Sequence, residues 1–412
     1  LLALADEEQS ISKVKYIDLL DISIKCGSSQ KSSASVRLKY FNKTLTGESD
    51  GAGPIDAVFK AIKKLPGGHT AEFNLTSRQL DVRAYWKFQI EPEDDGPNAL
   101  DEDEISEEVA LLLQRSVGDR LESDVPLGFL LSGGLDSSAI LAVAAQQTDP
   151  ADMQAFTIGF QEESYDESKF ACLAADHIGA THNLEQLSMS NAFDLIETVL
   201  PELDEPHGDS SILPTYLVCA HARKKVTVAL SGDGGDELFA GYDPFKALQM
   251  AKAYKAVVPG PVHQAIRMLV NMTPRSDRNM SLDFKLRRTL RALEYRDALW
   301  NPVWMGALAP LEISDLFGGP VDPEELYSEA IELWDKAKSK DIVDKALEFF
   351  TCFYLQDDIL LKSDRASMLN SLELRAPFLD YDLVDFVKKI PNRYKFNNGE
   401  GKKILKKSSL IP

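Results

Sequence analysis

The stretch VPLGFLLSGGLDSS, Val125–Ser138, decides the fold. Val125–Leu131 is an apolar run of the length expected for a strand buried on both faces of a parallel sheet, and Ser138–Gln147 reads as a helix. Ser132–Ser138 must therefore turn the chain from strand into helix. Backbone N–H groups at such a turn point outward and hold anions, and glycines let the backbone come close to one. The spacing is not G-x-x-x-x-G-K-[ST] and there is no lysine, which excludes a Walker-type loop. Asp136 falls at the helix start, where a carboxylate would best serve by holding magnesium beside phosphates.

A second loop repeats the arrangement. After the strand-like run Val226–Leu230 comes SGDGGDELFAGY, Ser231–Tyr242, with Asp233, Asp236 and Glu237 close together. These carboxylates repel one another unless a cation or a cationic group sits among them. Ala155–Phe160 is a further strand-like run, and the helical stretches Glu167–Ile178, Asn191–Leu200 and Pro214–Lys224 alternate with the strands. The alternation predicts an α/β fold, a parallel sheet with flanking helices. Beyond about Pro244 helical periodicity dominates, punctuated by Pro259, Pro261, Pro274, Pro302 and Pro310, so the C-terminal part is expected to be largely helical.

Upstream, Ile105–Leu121 carries apolar residues at helical spacing (Val109, Leu112, Leu113, Val117, Leu121). The acidic stretch Glu91–Glu108, with Gly96-Pro97 inside it, reads as a solvated linker running into that helix. Within Ile55–Gln89, a short segment, a Pro66-Gly67-Gly68 turn and two alternating runs suggest a hairpin at a domain edge. Residues 1–50 give an irregular segment in which strands are allowed. The expected division is 1–95, a small N-terminal segment, and 96–412, the nucleotide-binding domain.

The chain has 412 residues, with 45 Lys+Arg against 65 Asp+Glu and a net charge of −20. Such a balance repels a phosphate backbone, so a nucleic-acid partner is not expected. Cys26, Cys172, Cys219 and Cys352 are scattered, suggesting reduced, buried thiols rather than zinc ligands or disulfides. No apolar stretch reaches the ~20 residues of a membrane span, and a cytoplasmic protein is expected.

Leu131–Ser138, Phe156–Phe160, Asp204-Glu-Pro206 with Asp209-Ser-Ser211, Ser231–Tyr242 and Asp357–Asp380 (DDILLKSDRASMLNSLELRAPFLD) share the order and spacing of bacterial asparagine synthetases. From about Ile55 onward the chain resembles the synthetase domain of the glutamine-hydrolysing asparagine synthetase family, whose members are N-type ATP pyrophosphatases with an adenine nucleotide alpha-hydrolase-like fold. The resemblance implies ATP and Mg2+ as cofactors, with cleavage between the α and β phosphates. It implies that Leu130 and Ile158 bracket the adenine, with Ser231 and Gly232 also on the nucleotide. Ser132, Gly133, Gly134, Asp136, Ser137 and Ser138 would hold the pyrophosphate. Asp136 and Asp236 would ligate magnesium. Asp233 occupies an acidic position implicated in adenylation, and Glu237 is its neighbouring catalytic candidate.

The expected reaction is adenylation of a carboxylate, with aspartate as the leading substrate, followed by transfer of ammonia or an amine. Family members also carry a glutaminase domain opening on cysteine. This chain opens on Leu1, so residues 1–95 are expected to be a remnant of such a domain, or the glutaminase to be a separate subunit; a homodimer is compatible. The family continues beyond the position of Pro412 into a basic segment bearing a phosphate-contacting lysine, and that lysine is not in this sequence. Its absence keeps a non-catalytic nucleotide-binding protein as the reading from another class. Lasso-peptide cyclases, β-lactam synthetases and sugar-acid amidotransferases are alternatives that share the domain. Asp358, Lys362, Asp364, Arg365, Glu373 and Arg375 in the late motif read first as an ion-paired network fixing helices to the sheet, and second as part of an acceptor pocket. Arg375–Asp380 is the surface best suited to reach the cleft. His207 reads as a hydrogen-bonding loop residue more readily than as a general base.

Overall fold

The computed structural model describes residues 17–27, 30–40, 43–51, 67–74, 79–92, 100–162, 164–187, 195–203, 207–274, 276 and 281–408. The chain divides into two compact units, Leu1–Lys87 and Phe88–Pro412. The expected segment at Ile55, Pro66 of the expected turn, and Asp204-Glu-Pro206 lie outside the described residues.

In the first unit, β1 (Ile17–Gly27), β2 (Gln30–Tyr40) and β3 (Lys43–Gly51) form an antiparallel sheet in the order β1-β2-β3. The irregular reading of this stretch is thus replaced by three long strands. Register places Leu19 opposite Leu38 and Ile22 opposite Val36, and a shift between Leu19 and Asp21 interrupts the alternation. That shift is why a strict period of two was hard to see. A separate hairpin pairs β4 (His69–Asn74) with β5 (Gln79–Ala84), as the alternating runs suggest.

The second unit opens with helix α1 (Glu102–Leu121). Asp101 caps it: its carboxylate accepts from the amides of Asp103 (2.8 Å) and Glu104 (2.9 Å), while Glu104 returns a bond to the Asp101 amide. The acidic linker thus ends as a helix start, where negative charge meets the positive end of the dipole. Val109, Leu113 and Val117 are fully buried in the main hydrophobic core, each worth about 1.5–3 kcal/mol of hydrophobic burial.

Five parallel strands follow: β6 (Leu127–Leu130), β7 (Gln154–Phe160), β8 (Thr181–Leu187), β9 (Val228–Leu230) and β10 (Glu373–Arg375), in the spatial order β10-β9-β6-β7-β8. Helices α2 (Leu135–Ala145), α3 (Ser168–Ile178) and α4 (Ile212–Arg223) lie between the strands in sequence. Two strands escaped the sequence reading for physical reasons. β8 is a sheet edge with an alternating, half-exposed surface, and β10 is three residues long inside a stretch expected to be helical.

The order contains a switch point. From β6 the chain builds outward to β7 and β8, then returns to the other flank of β6 as β9. Loops leaving the carboxyl ends of β6 and β9 therefore diverge around a crevice, the position where open α/β sheets bind ligands. Beyond β9 the unit is largely helical. α5 (Gly235–Phe239) is short, and α6 (Ile342–Phe349) runs through a π-helical stretch, Phe350–Ile359, into α7 (Leu360–Met368). Near the end of the described chain lies α8 (Lys403–Lys407). Cys172, exposed, and Cys219 and Cys352 are free thiols, and burial pushes the latter two up to about 12.

Candidate active site

The β6–α2 turn is braced by its own hydroxyls. The Ser132 amide donates to Ser137 Oγ (3.2 Å), the two serine oxygens lie 3.0 Å apart, and the Gly134 amide donates to Ser132 Oγ (3.2 Å). Gly133 has φ +80°, and a Cβ there would lie 2.4 Å from the Ala171 amide nitrogen of α3, so both conformation and space demand glycine. Gly134 caps α2, whose first-turn amides have no partner inside the helix. An anion at this end would be met by those amides and by the dipole.

The β9 loop packs directly against it. A Cβ on Gly235 would fall 2.3 Å from the Asp136 carboxyl carbon, and one on Gly232 would fall 2.9 Å from the Ser137 amide. The glycines thus allow two acidic loops to touch. The contact is costly unless a cation compensates, and the structure supplies one that the sequence reading missed. Lys402 Nζ lies 2.6 Å from Asp136 Oδ2 and 2.6 Å from Asp236 Oδ1. Its backbone is left-handed (φ 56°), and its amide donates to the Phe239 carbonyl at 2.9 Å, which fixes where the side chain starts. Lys403 and Lys407 tether the same segment through ion pairs to Glu102 and Asp103 of α1.

Burial pushes the Asp136 carboxyl up to about 6; Lys402 opposes the shift and Asp236 and Asp233 add to it. Its Oδ1 is buried without a hydrogen-bond partner. Burial also pushes Glu237, 2% exposed, up to about 7, against the phenol of Tyr242, which donates to it. Burial disfavours the Lys402 ammonium, yet the two aspartates outweigh it and raise its pKa. Asp233 accepts from Ser231 Oγ and from Ser363 Oγ of α7, both at 3.0 Å.

Leu130 ends β6 in register with Phe156, and Ile158 lies two residues further along β7; both are half-buried. The expected adenine-bracketing residues are therefore on the neighbouring strands β6 and β7. The Ser138 amide donates to the Gly134 carbonyl (3.1 Å), which places it in the first turn of α2.

The late motif divides by role. Arg375 bonds the Arg120 and Glu122 carbonyls at the end of α1, tying β10 to that helix, while Asp364 pairs with its neighbour Arg365 within α7. The Arg375 carbonyl accepts the Ser231 amide (2.9 Å), and a Cβ on Gly234 would meet Leu379 at 2.4 Å. The Arg375–Asp380 segment thus lies under the β9 loop. Lys362 reaches the other way, to Asp209 Oδ2 (2.9 Å) and Ser211 Oγ (2.7 Å), and His207 lies 3.4 Å from Asp358.

A model of the asparagine synthase family matches residues 108–409, which include both loops, α7 and Lys402. The chain belongs to the asparagine synthase family. Asparagine synthetase [glutamine-hydrolyzing] 1 of Bacillus subtilis is 30% identical over 357 residues, covering 85% of this chain and 53% of its own length. A putative asparagine synthetase [glutamine-hydrolyzing] 2 of Methanocaldococcus jannaschii is 30% identical over 332 residues, covering 78% of this chain and 59% of its own. The chain spans about half the length of the curated relatives it matches. A solved glutamine-dependent NAD+ synthetase from Acinetobacter baumannii in complex with ADP aligns at 15% identity over 77% of this chain and 53% of its own, with a TM-score of 0.26. Residues 1–82 match a second model, that of the LeuA allosteric (dimerisation) domain.

Proposed function

We propose that this asparagine synthase family member is an ATP-dependent amide-forming ligase that adenylates a carboxylate, releases pyrophosphate, and passes the acyl group to ammonia or an amine. The observation that carries the reading is the convergence of Asp136 and Asp236, from two loops at the sheet's switch point, on the single ammonium of Lys402. Two carboxylates sharing one cation beside a bank of free helix amides suit a polyphosphate and its counter-ion.

The donor set fits magnesium, since Asp136 has a buried oxygen with no hydrogen-bond partner and both groups are hard oxygen donors. Asp136 and Asp236 would hold the ion, and when bound it would neutralise charge on the β and γ phosphates. The amides of Ser132–Ser138 and the ammonium of Lys402 would stabilise negative charge as the bond from the α-phosphorus to pyrophosphate breaks. Leu130 and Ile158 would orient the adenine, with Ser231 and Gly232 along the nucleotide. Asp233, fixed by Ser231 and Ser363, stands ready to position the reacting carboxylate or amine. In the second step the amine attacks the acyl carbon, AMP leaves, and a proton must be accepted. Glu237, with its carboxyl held up at about 7, is matched to that task at neutral pH.

Aspartate is the proposed substrate from the asparagine synthetase relatives. Pyrophosphate release measured across a panel of carboxylic acids with ammonia decides it. A burst dependent on aspartate supports the assignment, and one dependent on another acid transfers it to a specialised member. ATP binding with no pyrophosphate from any acid would leave a nucleotide-binding protein. The match of residues 1–82 to a dimerisation domain supports a homodimer, read by light scattering as twice the 45.7 kDa chain mass.

A further inference from the structure

Beside the nucleotide loops lies a second group of ligating side chains, to which the proposed function assigns no step. His207, Asp209 and Asp358 each offer one ligand atom, all within 4.8 Å of one another. The metal–ligand distances of roughly 2.0–2.2 Å typical of mixed nitrogen and oxygen sites put neighbouring donors about 3–4 Å apart, so the group needs little adjustment to close on an ion. The His207 side chain is 7% exposed and its Nε2, 3.4 Å from Asp358 Oδ1, makes no hydrogen bond. A buried ring nitrogen within ion-pair distance of a carboxylate but without a hydrogen bond has a lone pair or proton left to satisfy.

The charges agree. Lys362 is already engaged: its ammonium bonds Asp209 Oδ2 (2.9 Å) and Ser211 Oγ (2.7 Å). Two carboxylates with one ammonium leave a net negative charge in a half-buried site. Asp209 Oδ2 accepts from Lys362 and from Ser211 Oγ, and Oδ1 accepts the Ser211 amide, so the second lone pair of Oδ1 is the one left to ligate. Asp358 is carried by the π-helical stretch Phe350–Ile359, a backbone irregularity that often marks functional positions.

We propose that His207, Asp209 and Asp358 form a second divalent-cation site, separate from Asp136 and Asp236, for a transition-metal ion such as Zn2+, with Mn2+ as its paramagnetic probe. The imidazole favours such ions over Mg2+, which prefers all-oxygen shells. The proposal is independent of the ligase reading, because its test reads metal binding alone.

The experiment uses the 412-residue chain carrying Asp136→Asn and Asp236→Asn, which removes the nucleotide-loop carboxylates, titrated with Mn2+ alone and no nucleotide. Electron paramagnetic resonance should show one bound Mn2+ with hyperfine coupling to an imidazole nitrogen. Adding His207→Gln should abolish the nitrogen coupling and weaken binding by on the order of 10–100-fold, as loss of a metal-site partner does. Asp358→Asn should weaken binding to a similar extent while thermal melts confirm the fold, so the result stands if one variant fails to fold. No Mn2+ bound to the Asp136→Asn, Asp236→Asn protein, binding without nitrogen coupling, or binding unchanged by His207→Gln and Asp358→Asn would each overturn the proposal.

Discussion

Asp136 and Asp209 are carboxylates in the same unit, each held by a lysine from a distant segment, yet their acidities move in opposite directions. Asp136 shares Lys402 with Asp236, keeps one oxygen without a hydrogen bond, and is pushed up to about 6. Burial also disfavours the charge on Asp209, but Lys362, the Ser211 hydroxyl and the Ser211 amide outweigh it and hold its pKa below the usual value. The difference is one of saturation. A carboxylate with hydrogen bonds on both oxygens holds its charge, whereas one with a buried, unfilled oxygen is pushed toward its neutral form until a cation arrives.

The largest expected effect is on the unsaturated member. Asp136→Asn should lower pyrophosphate release by on the order of a hundredfold, because charge stabilisation in the transition state is weakened. Its melting temperature should hold, since the substitution removes a charge that burial opposes. A fall in activity matched by a fall in melting temperature would make Asp136 a structural cap instead.

Lys402→Met tests the shared cation through stability. Removing the lysine leaves Asp136 and Asp236 without a counter-charge, at a cost of about 3 kcal/mol. The cost should be greatest near pH 8, where both are ionised, and smaller at pH 5, where Asp136 is protonated. A loss independent of pH in denaturant titrations would contradict the pairing.

Glu237 gives a smaller effect with a definite sign. Its folded pKa is raised from 4.5 to about 7, so between those values the folded state holds a proton that the unfolded state has released. Stability should therefore fall as pH rises through that window, and Asp136 adds in the same direction between 3.8 and about 6. Glu237→Gln should flatten the profile and gain on the order of 2 kcal/mol at pH 8. An unchanged profile would place the titration elsewhere.

The smallest effect belongs to the saturated surface. Asp382 pairs with Arg115 where both side chains are largely exposed, so Asp382→Asn should cost less than about 1 kcal/mol and leave activity intact.

Much of this was legible in the sequence because the decisive residues are local. The apolar runs before Ser132 and Ser231 predict buried strands, and the glycines and carboxylates that follow predict anion and cation chemistry. Three of the five parallel strands were readable that way. What stayed hidden depends on long-range contacts. Lys402 reaches Asp136 across 266 residues, and its only local trace is the unmet charge of the two acidic loops. The pairing of His207 with Asp358 is equally non-local. β10 is recognisable as a strand only through its pairing with β9. In the first unit the shift between Leu19 and Asp21 broke the alternation that would have announced β1.

The central claim is that the two loops at the switch point cleave ATP between its α and β phosphates. It is tested most directly by incubating the protein with Mg2+, ammonia, a carboxylate substrate and ATP labelled separately at the α and γ positions. The account predicts α label in AMP and γ label in pyrophosphate, both lost in Asp136→Asn. Label appearing in ADP and inorganic phosphate would contradict it.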